Sequence, residues 1–170
     1  DLVSGEGVTV TLYAQWTLDH YSISFNANGG SGTMPNQDIK YDVTAALSAN
    51  KFKRTGYTFA GWNTAKGGNG KLYADKASVT NLSDTDGATV TLYAQWTVNR
   101  YSIAFDANGG TGTMIKITDK AYYDEIQLTA NAFSRTGYTF VSWNTAEDGT
   151  GTSYTDKASV ANLSDTDNAT

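Results

Sequence analysis

Asp84 and Asp86 in the stretch SDTDG set two carboxylates two positions apart, and the pair returns as Asp165 and Asp167. Calcium, a hard cation that takes several oxygen ligands, is the ion such a pair would suit. Leu82 occupies the position two before Asp84, where the full calcium-loop pattern has an acidic ligand, and no downstream Glu closes the loop. A solvated turn is therefore the better reading, and no metal is expected. Trp62, Trp96, Trp143 and Tyr93 could form an aromatic platform for sugars. Aromatics recurring in alternating segments more often build a core. His20 is the only histidine, and the corresponding place further along carries Arg100. A catalytic or metal role would have to survive that exchange, so an exposed connecting residue is the expectation. GGSGTM and GGNGK put glycines near Met or Lys, but neither runs on as a phosphate loop into a helix. Lys76 and Lys157, candidates for a Lys–Asn crosslink, lie in exposed-looking DKASV stretches, and Asn81, Asn162 and Asn168 stand in Asn-x-Ser/Thr sequons. No catalytic residue, cofactor or metal ligand is assigned, and the chain is not expected to be an enzyme.

The elements that position these residues recur. YSISFNANGGSGTM at 21–34 returns as YSIAFDANGGTGTM at 101–114, a shift of 80, and RTGYTFAGWNTA at 54–65 returns as RTGYTFVSWNTA at 135–146, a shift of 81. One residue is thus inserted between Met114 and Arg135. Residues 54–86 and 135–167 share 24 identities in 33 positions. A period near 80 exceeds the roughly 20–50 residues of a solenoid repeat and predicts independently folded beads. VTLYAQW at 10–16 matches 90–96, so 1–16 reads as the last strand of a preceding repeat, 17–96 as a complete repeat, and 97–170 as a repeat lacking its last strand.

Composition narrows the function classes. The 170 residues carry a net charge of −5, which argues against nucleic-acid or anionic-membrane partners. No apolar run is long enough to span a bilayer, so no membrane insertion is expected of this segment. Without cysteine there are neither disulfides nor thiolate metal sites. With 39% hydrophobic residues small cores are within reach. The chain shows no signal peptide or anchor motif and starts and ends mid-pattern, so an excerpt of a longer protein is expected.

Within one unit, YSISF alternates, with Tyr21, Ile23 and Phe25 on one face. ANGGSG supplies turn positions, with Gly29 and Gly30 both expected at positive φ. A second strand is predicted around 37–43, then a short helix or ordered loop over 45–56. GYTFAGWNT is a strand with Tyr57 and Phe59 on one face and Trp62 on the other. KLYAD returns as a strand, and TVTLYAQW closes the unit with Val90, Leu92, Ala94 and Trp96 facing inward. The predicted core is Ile23, Phe25, Leu47, Tyr57, Phe59, Leu82, Leu92 and Trp96. Loops 28–33, 66–70, 108–113 and 147–151 are expected as exposed turns.

The series YSIxF, ANGG, GYTFxxWNT and LYAQW resembles the Listeria–Bacteroides repeat, the B-repeat module of internalin-like bacterial surface proteins. The resemblance covers both units and the initial tail. It implies a mainly β, α+β fold: tandem small β-grasp-like domains, each a mixed sheet with at most a short helix. It also implies an extracellular place, at the cell surface or secreted, and no catalytic residue. The expected role is a rod-like stalk or spacer of a surface adhesin, since Thr97-Val98-Asn99-Arg100 joins the units without Gly or Pro. The alternative is a module that binds a host protein or glycan through exposed aromatics, which requires an exposed aromatic patch on each unit.

The unmatched tail raises one more expectation. A strand vacancy is predicted in the second unit beside YSIAF, at Tyr101, Ile103 and Phe105. Residues 17–20 span at most about 14 Å, against about 30 Å for a bead of this size. The same chain should not fill its own vacancy. The tail strand Val8, Val10, Leu12, Tyr13, Ala14 and Trp16 is expected to associate head-to-tail with a neighbouring copy.

Overall fold

The computed structural model describes Gly7 and residues 9–170. Among the described residues there is no helix. The first unit comprises β1 (His20–Asn26), β2 (Gln37–Lys40), β3 (Ala45–Ala46), β4 (Tyr57–Asn63), β5 (Leu72–Tyr73), β6 (Ser78–Val79) and β7 (Ala88–Val98). Five of these form one sheet in the order β2-β1-β7-β4-β5, while β3 and β6 pair as a separate two-residue ribbon. β7 is the central strand, parallel to β1 and antiparallel to β4. The fold is mainly β with a mixed sheet, and the 45–56 stretch is an ordered loop carrying only β3. Of the β-grasp expectation, the parallel pairing of the first and last strands is present; no helix packs on the sheet among the described residues.

Alternation decides what β1 buries. Tyr21, Ile23 and Phe25 point into the core, and Ser22 and Ser24 point away. β7 buries Leu92 and Ala94 completely, with Val90 and Trp96 packed at the margin of the same core. In β4 simple alternation fails. The register against β7 shifts between Phe59 and Gly61, a bulge that inserts Ala60. The extra residue restores Trp62 to the face of Phe59, contrary to the opposite-face expectation. Trp62 is fully buried, ringed by Phe25 at 4.8 Å, Phe59 at 4.9 Å and Phe52 at 6.0 Å between centroids.

The core thus contains the predicted Ile23, Phe25, Leu47 and Leu92, with Phe59, Leu82 and Trp96 partly buried against it. Tyr57 is a correction: it sits outside this cluster, under the guanidinium of Arg54 at 3.8 Å and beside Tyr123 of the next unit. Gly30 is another. Gly29 takes φ +89°, but Gly30 does not adopt a positive φ. What Gly30 needs is space, since a Cβ there would stand 2.7 Å from Cζ2 of Trp96 and 2.9 Å from the Lys53 carbonyl.

The second unit repeats the plan as β8 (Arg100–Ile103), β9 (Ile117–Ala121), β10 (Ile126–Gln127), β11 (Trp143–Asn144), β12 (Ser153–Tyr154) and β13 (Ser159–Val160). It has its own core around Tyr101, Ile126, Leu128 and Val160. β8 pairs β9, β10 pairs β13 and β11 pairs β12, but no strand joins these ribbons into a single sheet. β8 and β11 are shorter than their counterparts β1 and β4, both of which pair with β7 in the first unit.

Candidate functional site

Two features stand out: a groove in the second unit and a tightly bonded joint between the units. The first is a groove of about 940 Å³ lined by Ile103, Phe105, Phe140, Trp143, Tyr154 and Leu163 among others. Its aromatic cluster repeats that of the first unit, with Trp143 at 4.9 Å from Phe105, 4.9 Å from Phe140 and 6.1 Å from Phe133. The difference is cover. Ile23 and Trp62 are fully buried in the first unit, whereas Ile103, Phe105 and Trp143 are half-buried and Phe140 is 39% exposed. In the first unit that cover is β7.

Tyr101 is buried and already paired, antiparallel with Lys120 and by a parallel bridge with Ala169. The Ser102 N–H donates to the Ala169 carbonyl at 2.8 Å. The open part of the edge therefore begins at Ile103, one alternation further on than expected. Of the tail residues, Val8 lies outside the described residues. Val10, Leu12, Tyr13, Ala14 and Trp16 belong to no strand and are exposed, with Leu12 at 78% and Trp16 at 90%.

The joint is built on Asn99, a buried polar residue and the single position between β7 and β8. Its N–H donates to Gly56 O at 2.8 Å, and its Oδ1 accepts from Thr58 Oγ1 at 2.7 Å, both in the first unit. Its Nδ2 donates to Asp165 O at 2.5 Å, and its carbonyl accepts from Tyr122 N at 2.9 Å, both in the second. Every polar group of Asn99 is thus used, as burial demands. Tyr123 adds a ring contact with Tyr57 at 5.9 Å and a hydroxyl bond to Thr55 O at 3.4 Å. A Cβ on Gly56 would overlap the Tyr122 ring, so glycine permits the approach. The connector signals restraint by lacking Gly and Pro, but the bonding of Asn99 leaves no mark in the sequence beyond an Asn beside Thr97 and Val98.

The other sequence candidates resolve into structural roles. Asp86 Oδ1 accepts from the His20 backbone N–H at 3.1 Å and lies 2.9 Å from His20 Nδ1, and Asp167 Oδ1 accepts from Arg100 N at 2.9 Å. These acids tie each SDTD turn to the start of its unit's first strand. Asp119 bonds the Arg100 guanidinium and raises its pKa above the usual arginine value. Thr150 donates to the Asp148 carboxylate through hydroxyl and backbone, holding it below the usual carboxylate range. Lys76 and Lys157 take positive φ in exposed turns. Asn63, whose only mark in the sequence is the recurrence of WNTA, is buried and cradles the GGNG tip: it donates to Gly68 O and Gly70 O and accepts from Ala65 N and Gly70 N. Within 17–96 the exposed large apolar side chains are Leu18, Val43 and Leu72, none aromatic. Trp96 turns its indole N–H inward to Ala27 O at 2.9 Å.

Among the described residues no helix is long and apolar enough to cross a membrane. A family profile described as the Listeria-Bacteroides repeat domain matches residues 21–95 and again 101–167. A putative Gly-rich membrane protein of Evansella cellulosilytica is 33% identical over 140 residues, 79% of this chain and 16% of its own length. A putative membrane protein of the same organism is 32% identical over 145 residues, 82% of this chain and 20% of its own. Internalin H of Listeria monocytogenes is 35% identical over 98 residues, 56% of this chain and 16% of its own. The chain therefore spans a fifth or less of the length of these relatives.

Proposed function

This chain belongs to the Listeria-Bacteroides repeat domain family, and from that premise we propose that it is a non-enzymatic spacer, part of a rod-like stalk in a bacterial surface adhesin. The observation that carries the proposal is the Asn99 joint. A flexible linker would let successive units swing, whereas four hydrogen bonds from one buried residue, two into each unit, fix their relative orientation. Because β1 and β7 run parallel, the chain enters a unit at one pole and leaves at the other. Repetition of such a unit extends the molecule instead of folding it back. The names of the two Evansella relatives as membrane proteins, and of the Listeria relative as an internalin, support a place at the cell envelope. In that setting a spacer holds a distal domain away from the surface.

Small-angle X-ray scattering on an array of several units tests the reading. The expected profile is that of a rod whose length grows linearly with the number of units. A compact globular profile, or a chain of freely jointed beads, sinks it.

A further inference from the structure

We propose that the first unit carries a binding strip for an acidic polysaccharide, running from Lys66 past the Asn28–Gly32 turn to the aromatic contact at the joint. The chain's net charge of −5 hides a strong local asymmetry. Residues 43–74 carry Lys51, Lys53, Arg54, Lys66 and Lys71 and no acid, so all 17 acids share the rest of the chain with the other seven cations. The corresponding stretch of the second unit, 124–155, holds one cation, Arg135, and four acids, Asp124, Glu125, Glu147 and Asp148. There Ala132, Ser134, Glu147 and Thr152 stand where the first unit has its four lysines. The local structure is the same in both: Ser31 bridges Lys53 as Thr111 bridges Ser134, and Thr64 N donates to Lys71 O as Thr145 N donates to Thr152 O. The lysines are therefore not needed to build these loops.

The fold gathers four of the five cations on one turn. Lys53 exchanges two backbone hydrogen bonds with Ser31, at 2.7 and 3.0 Å. A Cβ on Gly32 would stand 3.3 Å from the Lys51 carbonyl, and one on Gly29 would stand 3.5 Å from the Arg54 guanidinium carbon. Asn28 Nδ2 donates to the Lys66 carbonyl at 3.0 Å, which brings the tip of the β4–β5 hairpin to the same turn. Phe52 is buried between Lys51 and Lys53, so alternation turns both lysines out to solvent, and Lys66 is exposed as well. Among the described residues Arg100 is the only Lys or Arg paired with a carboxylate. Asp75, the acid that reaches closest along the chain, accepts from the Asn50 N–H at 2.9 Å. Like charges held together in this way repel one another, and a bound polyanion relieves the repulsion.

Two further features select the occupant. The Arg54 guanidinium lies over the Tyr57 ring at 3.8 Å and against Gly29, which fixes the plane of its N–H donors. A fork held in that way fits the two oxygens of a carboxylate. Tyr57 in turn meets Tyr123, whose side is 57% exposed. An exposed tyrosine ring is a flat apolar face with a polar tip, the surface that the C–H face of a sugar ring covers. A row of cations ending at such a face fits a polymer with both acid groups and sugar rings along its chain. A duplex nucleic acid fits less well, because its dense charge would run past the strip onto a surface dominated by acids. Tyr123 belongs to the second unit, so the strip is complete only where the Asn99 joint sets the two units together. This lateral surface goes beyond the spacer reading and does not rest on it.

NMR titration of the isotope-labelled full chain with a short oligogalacturonate tests this. Amide shifts should map to 28–32, 51–55, Lys66 and Tyr123, and affinity should fall steeply with added salt. A neutral maltooligosaccharide of the same length should leave the spectrum unchanged. Lys51→Ala/Lys53→Ser/Lys66→Glu introduces the residues that the second unit itself carries at these places, so the fold should survive, with an unchanged urea midpoint as the check. This variant should bind about tenfold more weakly or worse, with a shallower salt dependence. Tyr123→Ala should weaken binding about threefold at unchanged salt dependence, and Tyr123→Phe, which keeps the ring, should bind as wild type. Oligothymidylate of equal charge should bind more weakly than the oligogalacturonate. No binding at low salt, shifts that map elsewhere, or unchanged affinity in the folded triple variant overturns the proposal. So does unchanged affinity in Tyr123→Ala, or oligothymidylate binding as tightly as the sugar, which would reduce the strip to a site for any polyanion.

Discussion

Trp96 lies across Gly30 so closely that a Cβ on Gly30 would stand 2.7 Å from its Cζ2. The ring is held there by its indole bond to Ala27 O. Gly30→Val should therefore destabilise the first unit by overpacking, about 1–3 kcal/mol. Gly29→Ala should cost about 1–2 kcal/mol through its positive φ instead. The Trp96→Ala background separates the two mechanisms in urea denaturation: it should relieve part of the Gly30→Val penalty and none of that at Gly29.

Leu92 and Leu12 occupy the same place in identical motifs, yet Leu92 is fully buried and Leu12 exposed. Leu92→Ala should cost about 2–5 kcal/mol. Leu12→Ala in dilute chains should lie within about 0.5 kcal/mol of wild type. Denaturation of each variant at low protein concentration measures the contrast; equal losses would contradict the exposure of the tail.

Asn99→Ala removes the side-chain bonds to Thr58 and Asp165, two bonds at about 0.5–1.5 kcal/mol each. The cost should be about 1–3 kcal/mol. The joint should also loosen, seen as different rotational correlation times for the two units by NMR relaxation. A wild-type-like single tumbling rate in the variant would show that the Tyr57–Tyr123 contact alone suffices.

Burial raises the pKa of the Tyr101 phenol above that of an exposed tyrosine. A raised folded-state pKa contributes stability fully present below the unfolded value, about 10, and lost as pH rises through the folded value. The second unit should lose stability above about pH 10, and Tyr101→Phe should remove that component. Denaturation midpoints of both proteins at a series of alkaline pH values check it, and parallel curves would rule it out.

Much of the fold is legible in the chain because strand alternation reports directly on burial. YSISF and TVTLYAQW each assign their faces correctly, since β1 and β7 pair with each other without a register shift. GYTFAGWNT misleads because the bulge at Ala60 changes parity midway, and a bulge is set by the partner strand, not by local sequence. The same periodicity places Tyr57 in the core, but as the first residue of β4 it lies in the joint. The joint itself depends on residues as far apart as Gly56, Asn99, Tyr122 and Asp165, and no local pattern brings them together. That Tyr101 is covered by Ala169 depends on a bridge between residues 68 positions apart, which no local pattern signals.

The parallel pairing of β1 with β7 also sets how the unit bears tension. A pull on the two ends of a unit draws His20 and Val98 apart along the strand axis. The six paired positions from Tyr21–Ala88 to Asn26–Tyr93 then share the load side by side. They must slip together, in shear, where a hairpin would unzip one bond at a time. The unit is therefore built to resist being pulled apart end to end, because no single pair can yield before the others.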